Sequence, residues 1–152
     1  MCREHGLQLT GLAADEKWSD VAFWGVVKET GVDDVGLLEF YEKYFKFPLY
    51  KDDELQIYKA QGNRKIKLRT FNPFSLWKGY KDMGRRIAAK NIEGNMVGEG
   101  LIQGGILVFN KAGEIKYALE ENVGRELELD DIRTAVNAVR EGREVTPAKT
   151  EL

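Results

Sequence analysis

The uninterrupted apolar run Gly104 to Phe109 is only strand-sized, and it constrains everything around it. A membrane-spanning helix needs about 20 apolar residues, so this run is no span. Within Ile102 to Phe109 it reads as a central strand buried on both faces, which requires helices on either side. Asn110-Lys-Ala-Gly113 then signals a hairpin turn. Beyond it Ile115, Tyr117 and Leu119 alternate with Lys116, Ala118 and Glu120, the pattern of a half-exposed strand.

The remaining elements follow from periodicity and punctuation. Cys2 to Ala14 carries apolar residues at Cys2, Leu9, Leu12 and Ala13, a helical spacing, and Asp15 to Asp20 is a polar break. Val21 to Val27 is short, β-branched and aromatic, so a buried strand is expected. Gly31, Asp33 and Asp34 open a helix whose inward stripe is Leu37, Leu38, Tyr41 and Phe45. Phe47 to Tyr50 is a short strand that Pro48 places at an edge or a strand start. Asp52 or Asp53 caps a short helix running through Tyr58 and ending at Gly62.

Gly62 to Arg69 is basic and irregular. Pro73 opens a long amphipathic helix through Ala89, and Gly94, Gly98 and Gly100 punctuate a loop. Asp130 and Asp131 stand in the first turn of a last helix, with Leu129, Ile132, Val136 and Val139 inward. Strands alternating with helices give parallel pairing, and the closing hairpin adds antiparallel strands. The expected class is α/β, a mixed sheet flanked by helices, in one domain over residues 1–142 with a flexible tail over 143–152.

Charge excludes some functions. With 23 basic and 25 acidic residues among 152, the formal net charge is -2, which favours neither nucleic acid nor a membrane surface as a partner. Cys2 is the single cysteine, so no internal disulfide framework exists and a reducing, cytoplasmic compartment is expected. No basic segment followed by an apolar stretch marks the N-terminus, although organelle targeting stays open if the natural start lies upstream. His5 has no second His or Cys to complete a metal site, so it is expected on an exposed helix surface with no metal.

Particular residues point to a family. Cys2-Arg3-Glu4 at a helix start resembles the end of a C-x-x-C-R-E redox motif. Val26-Val-Lys-Glu29 closing a strand, the aromatic helix before Phe45, and the glycine-rich run from Asn91 to Gly105 are similar to the peroxiredoxin-like 2 family. That AhpC/TSA-type group includes selenoprotein U and the prostamide/prostaglandin F synthases. The resemblance covers Cys2 to about Arg140, and Gly-Asn-x-x-Gly-Glu-Gly-x-x-x-Gly-Gly is its most specific part.

The resemblance implies a thioredoxin-like fold whose first strand is missing from this chain. Cys2 then matches the second, resolving position of the redox motif, and the attacking Cys or selenocysteine would lie three positions ahead of it. Either a selenocysteine codon read as a stop or a plain truncation accounts for a start inside the motif. A sheet lacking that strand exposes backbone donors, so poor stability or self-association is expected.

Departures limit the transfer. No Pro-x-x-x-Thr-x-x-Cys peroxidatic site occurs, and no proline lies between Pro73 and Pro147 where thioredoxins carry their cis-proline. Gly98, Gly100, Gly104 and Gly105 are expected near the redox helix, letting backbone approach closely. Their spacing, ahead of a strand, does not fit a dinucleotide fingerprint.

The leading expectation is an antioxidant, thiol-dependent oxidoreductase with no bound cofactor. Its substrate would be a peroxide or small molecule, and a thioredoxin-type or glutathione partner would reduce it. A prostaglandin F synthase-like endoperoxide reductase and a redox-inactive interaction domain are the alternatives. For the last, the basic run Arg64 to Arg69 followed by Phe71, Phe74, Trp77 and Tyr80, and extended by Arg85, Arg86 and Lys90, supplies a surface. The plainer expectation for that run is a solvated face whose aromatics pack on the core.

Overall fold

The computed structural model of the chain describes residues 2–28, 30–61, 73–93, 104–121 and 124–145. The expectations for Gly62 to Arg69, for Phe71, for Gly94, Gly98, Gly100 and Ile102, and for the tail past residue 145 lie outside these residues. Helix α1 (Cys2–Ala13) opens the chain and ends in a 3-10 turn, Glu16–Trp18, that Asp15 caps by accepting the Lys17 amide. The supposed polar break therefore hides an anchor: Trp18 is buried beside Leu12, Leu127, Ile132 and Val136. Strand β1 covers only Gly25–Val27, shorter than the apolar run before it, because its partner β2 (Leu49–Lys51) is equally short.

Between those strands, α2 (Asp34–Glu39) begins at Asp33, whose carboxylate accepts the Gly36 amide. It passes into a π-helical turn, Phe40–Tyr44. The wider turn rotates the chain relative to a regular helix. Tyr44 and Phe45 thereby become buried while Leu38 and Tyr41 stay exposed, so the expected inward stripe is only half right. Gly6 of α1 sits against this turn. A Cβ there would stand 3.0 Å from the Phe40 ring and 3.2 Å from the Tyr44 carbonyl, so glycine is what lets the two backbones meet.

Helix α3 (Gln56–Ala60) is capped by Asp52, which accepts the amides of Gln56, Ile57 and Tyr58. Helix α4 spans Pro73–Ala89. Strands β3 (Gly105–Phe109) and β4 (Ile115–Glu120) form the hairpin, turned at Gly113 with φ of 81°. Helix α5 (Leu129–Arg140) lays Ile132, Ala135, Val136 and Ala138 into the core, with two aspartates in its first turn facing the positive end of the helix dipole.

The fold is thioredoxin-like α/β, with its strands in two halves: β1 and β2 pair in parallel, β3 and β4 antiparallel. An apolar cavity of about 1670 Å³ is lined by both β1 and β3 and by residues of the flanking helices. Each strand turns toward it an edge that has no strand partner among the described residues. Gly25 donates to Pro48 and Val27 accepts from Asp52, so the pleat turns the Val26 amide away from β2. Likewise Glu121 donates to Gly104 and Asn110 to Glu114, which turns the Leu107 amide away from β4.

Candidate functional site

Cys2 stands in the first turn of α1, exposed, and belongs to the cavity lining together with His5, Gly104, Gly105 and Glu121. The end of β4 and the start of β3 meet it there. Glu121 accepts the Gly104 amide at 3.0 Å through one carboxylate oxygen, and its other oxygen lies 3.5 Å from His5 Nδ1. His5 Nε2 is 3.0 Å from the Arg125 carbonyl. The expectation of a freely exposed His5 is corrected: its side chain is 12% exposed and held on both nitrogens.

Desolvation among the cavity-lining atoms pushes the Cys2 thiol above its ordinary value, and the nearby Glu121 carboxylate pushes it the same way. A helix N-terminus ordinarily lowers a thiol's pKa, and here that influence is outweighed. Cys2 is accordingly a protonated thiol at neutral pH, a poor attacker but a group that can still condense with an oxidised neighbour. Alkylation by iodoacetamide is expected to be slower at neutral pH than for a free cysteine peptide. Its rate should keep rising at pH values where the peptide has levelled off, and Glu121→Gln should bring the midpoint down. A neutral-pH rate at or above that of the peptide would contradict this assignment.

The two residues after Cys2 fix the helix that carries it. Arg3 reaches one way, donating to Glu39 at 2.7 Å and to the Glu93 carbonyl at 3.1 Å, with its guanidinium 5.1 Å from the Tyr44 ring centre. Glu4 reaches the other way and is fully buried. Its Oε1 accepts from Arg86 Nε at 2.7 Å and from Lys90 Nζ at 2.8 Å, while Oε2 accepts from Arg86 Nη2 at 3.1 Å. Arg86 also donates to the Gly124 carbonyl, and Lys90 also pairs with Glu126. Burial alone would raise the Glu4 carboxyl; the hydrogen bonds and charges of Arg86 and Lys90 reverse this and hold it down at about 2.

Arg86 and Lys90 are therefore not part of a solvated basic face. They clamp α4 and the residue that follows it to α1, a role that sequence reasoning missed. Their i, i+4 spacing placed them on one side of a helix, but nothing local tied that side to Glu4. Phe74, Trp77 and Tyr80, expected to pack on the core, are instead 75%, 60% and 73% exposed. Gly104 and Gly105 share the cavity lining with Cys2, whereas Gly98 and Gly100 fall outside the described residues. Among the described residues no group of three or more His, Cys, Asp or Glu could hold a metal, and no helix is long and apolar enough to cross a membrane.

A model of the AhpC/TSA antioxidant enzyme family matches residues 16–122, most of the chain. The chain belongs to that family. Within it the chain falls among the peroxiredoxin-like 2 proteins, as its relatives show. The prostamide/prostaglandin F synthase of Salmo salar is 29% identical over 140 residues, covering 90% of this chain and 68% of that protein. The one from Aquarana catesbeiana is 34% identical, covering 70% of this chain and 54% of the relative. The Homo sapiens protein is 33% identical, covering 75% and 56%. The chain thus spans from about half to two thirds of the length of these relatives. No solved structure matches it. Membership in this AhpC/TSA group carries a thioredoxin-like redox function. The family match begins after α1, so it includes neither Cys2 nor Glu4.

Proposed function

We propose that this AhpC/TSA-type chain is the body of a two-residue thiol oxidoreductase in which Cys2 is the resolving cysteine. The observation carrying the reading is the position of Cys2, exposed in the first turn of α1 and part of the apolar cavity lining that Gly104 and Gly105 also join. The attacking sulfur or selenium belongs three positions ahead of Cys2. That group takes the terminal oxygen of a peroxide, becoming a sulfenic or selenenic acid and releasing the alcohol. The Cys2 thiol then condenses with it, forming the disulfide or selenenylsulfide and releasing water. A thioredoxin-type dithiol, or two molecules of glutathione that leave as their disulfide, restores both groups. A protonated, high-pKa Cys2 suits the second of these steps and not the first.

A second reading is favoured by the relatives being prostamide/prostaglandin F synthases and by the size of the cavity. In it the substrate is a lipid endoperoxide whose O–O bond is cleaved to two hydroxyls, with two electrons and two protons coming from the dithiol. Both readings are tested on a chain lengthened upstream by an apolar strand ending Cys-Xaa before Met1. Turnover of hydrogen peroxide and of a prostaglandin endoperoxide is followed by consumption of the reductant. Cys2→Ser should abolish turnover while leaving the first oxidation event intact. Turnover unchanged by Cys2→Ser would remove Cys2 from the mechanism, and the ratio of the two substrates would decide between the readings.

A further inference from the structure

Helix α4 has two unlike sides. Met83, Arg86, Ile87 and Lys90 turn inward: Met83 and Ile87 join the cavity lining, and the two cations close on Glu4. The opposite side gathers Phe74, Trp77, Lys78, Lys81 and Arg85, an i, i+3, i+4, i+7, i+11 set that shares one helical face. All five are exposed. The Phe74 and Trp77 rings lie 6.3 Å apart, and the Lys81 ammonium sits 5.0 Å from the Trp77 ring centre. Tyr80, on the flank, is also exposed and belongs to the cavity lining, so the aromatic face runs on to the cavity. Asp82 is the acid within this stretch, 3.9 Å from Arg85.

Scattered apolar residues on a surface need no explanation, but exposed aromatics adjoining one another do. We propose that the outward face of α4 docks on an anionic phospholipid surface. The composition matches that chemistry on two independent counts. Tryptophan, tyrosine and phenylalanine settle at the boundary between acyl chains and headgroups, and lysines beside them reach back to the phosphates. The cations are local, on a chain whose overall charge is slightly negative, so attraction to an anionic surface would orient the molecule with α4 toward it. At 17 residues the helix is about 25 Å long. It therefore lies in the interface plane without spanning the bilayer. This inference stands apart from the redox reading and holds or falls without it.

The test uses the intact chain with two kinds of unilamellar vesicle, one of phosphatidylcholine alone and one with about a third phosphatidylserine. Binding is read by co-flotation and by quenching of tryptophan fluorescence with brominated lipid. The expected result is binding at least about tenfold stronger to the anionic vesicles and weakened at high salt. The double variant Phe74→Ser/Trp77→Ser should lose about tenfold of that binding, and Lys78→Glu/Lys81→Glu should lose the preference for anionic lipid. Because these side chains are exposed, all variants should keep the parent's circular dichroism and melting profile. No binding to either vesicle, or equal binding by the parent and the Phe74/Trp77 variant, overturns the proposal. So does self-association of the parent that this variant abolishes, which would make a second copy of the chain the occupant.

Discussion

Lengthening the chain ahead of Met1 by six apolar β-branched residues is expected to raise its melting temperature by about 10 °C or more over the same chain lengthened by six Gly/Ser residues. The reason is the gap between the half-sheets. Strands β1 and β3 each turn a backbone edge, through Val26 and Leu107, toward one apolar cavity, and neither edge has a strand partner among the described residues. A strand running between them gains ladder bonds on both sides, and its side chains enter apolar lining above and below. Burying five or six such side chains contributes about 1.5–3 kcal/mol each. Ordering the backbone costs about 1–2 kcal/mol per residue. The bonds gained on both ladders tip this balance toward order, and about 2–4 °C accompanies each kcal/mol gained in a domain of this size. Slowed hydrogen exchange at the Val26 and Leu107 amides should accompany the gain. Without such a strand the same edges favour self-association. If the apolar and Gly/Ser extensions melt together, the cavity is not a strand slot.

Removing the Glu4 carboxylate is the second large effect. Glu4→Ala leaves Arg86 and Lys90 facing each other with no anion between them, and breaking a buried charge cluster from one side costs about 3–5 kcal/mol. Those cations are themselves partly exposed, 23% and 34%, so water relieves part of the cost and the lower end applies. Glu4→Gln should cost less, because the amide oxygen still accepts from Arg86. The same cluster sets an acid limit. The folded-state carboxyl is held at about 2, below its ordinary value. Its contribution is therefore complete above the unfolded carboxylate range and is lost as pH falls from about 4.5 toward 2. The loss amounts to about 3 kcal/mol. Urea midpoints of the parent should fall steeply over that window, and those of Glu4→Gln should fall less. Parallel pH profiles for the two would show that Glu4 is not the group responsible.

The limits of reading the chain from its residues show where each structural cause lies. The bounds of α4, the β3–β4 hairpin and the inward stripe of α5 were legible because periodicity, a helix-starting proline and a turn glycine are all local. The length of β1 was not, since a strand ends where its partner ends, and β2 is three residues long. Nor was the π-helical turn at Phe40–Tyr44, which moved Tyr44 inward and Tyr41 outward without altering composition. The motif singled out Cys2, Gly104 and Gly105, and all three line one cavity. His5 and Glu121 were overlooked as a pair because 116 positions separate two individually unremarkable residues.

What the residues determined unaided was the α/β class and the family, because patterning and motif spacing are properties of neighbours along the chain. Tertiary structure alone decided that Glu4 is clamped by Arg86 of α4 and by Lys90 just past its end, that the Cys2 thiol is raised, and that α4 turns its aromatics outward. Each of these depends on which distant groups share a low-dielectric space, and only the folded packing sets that.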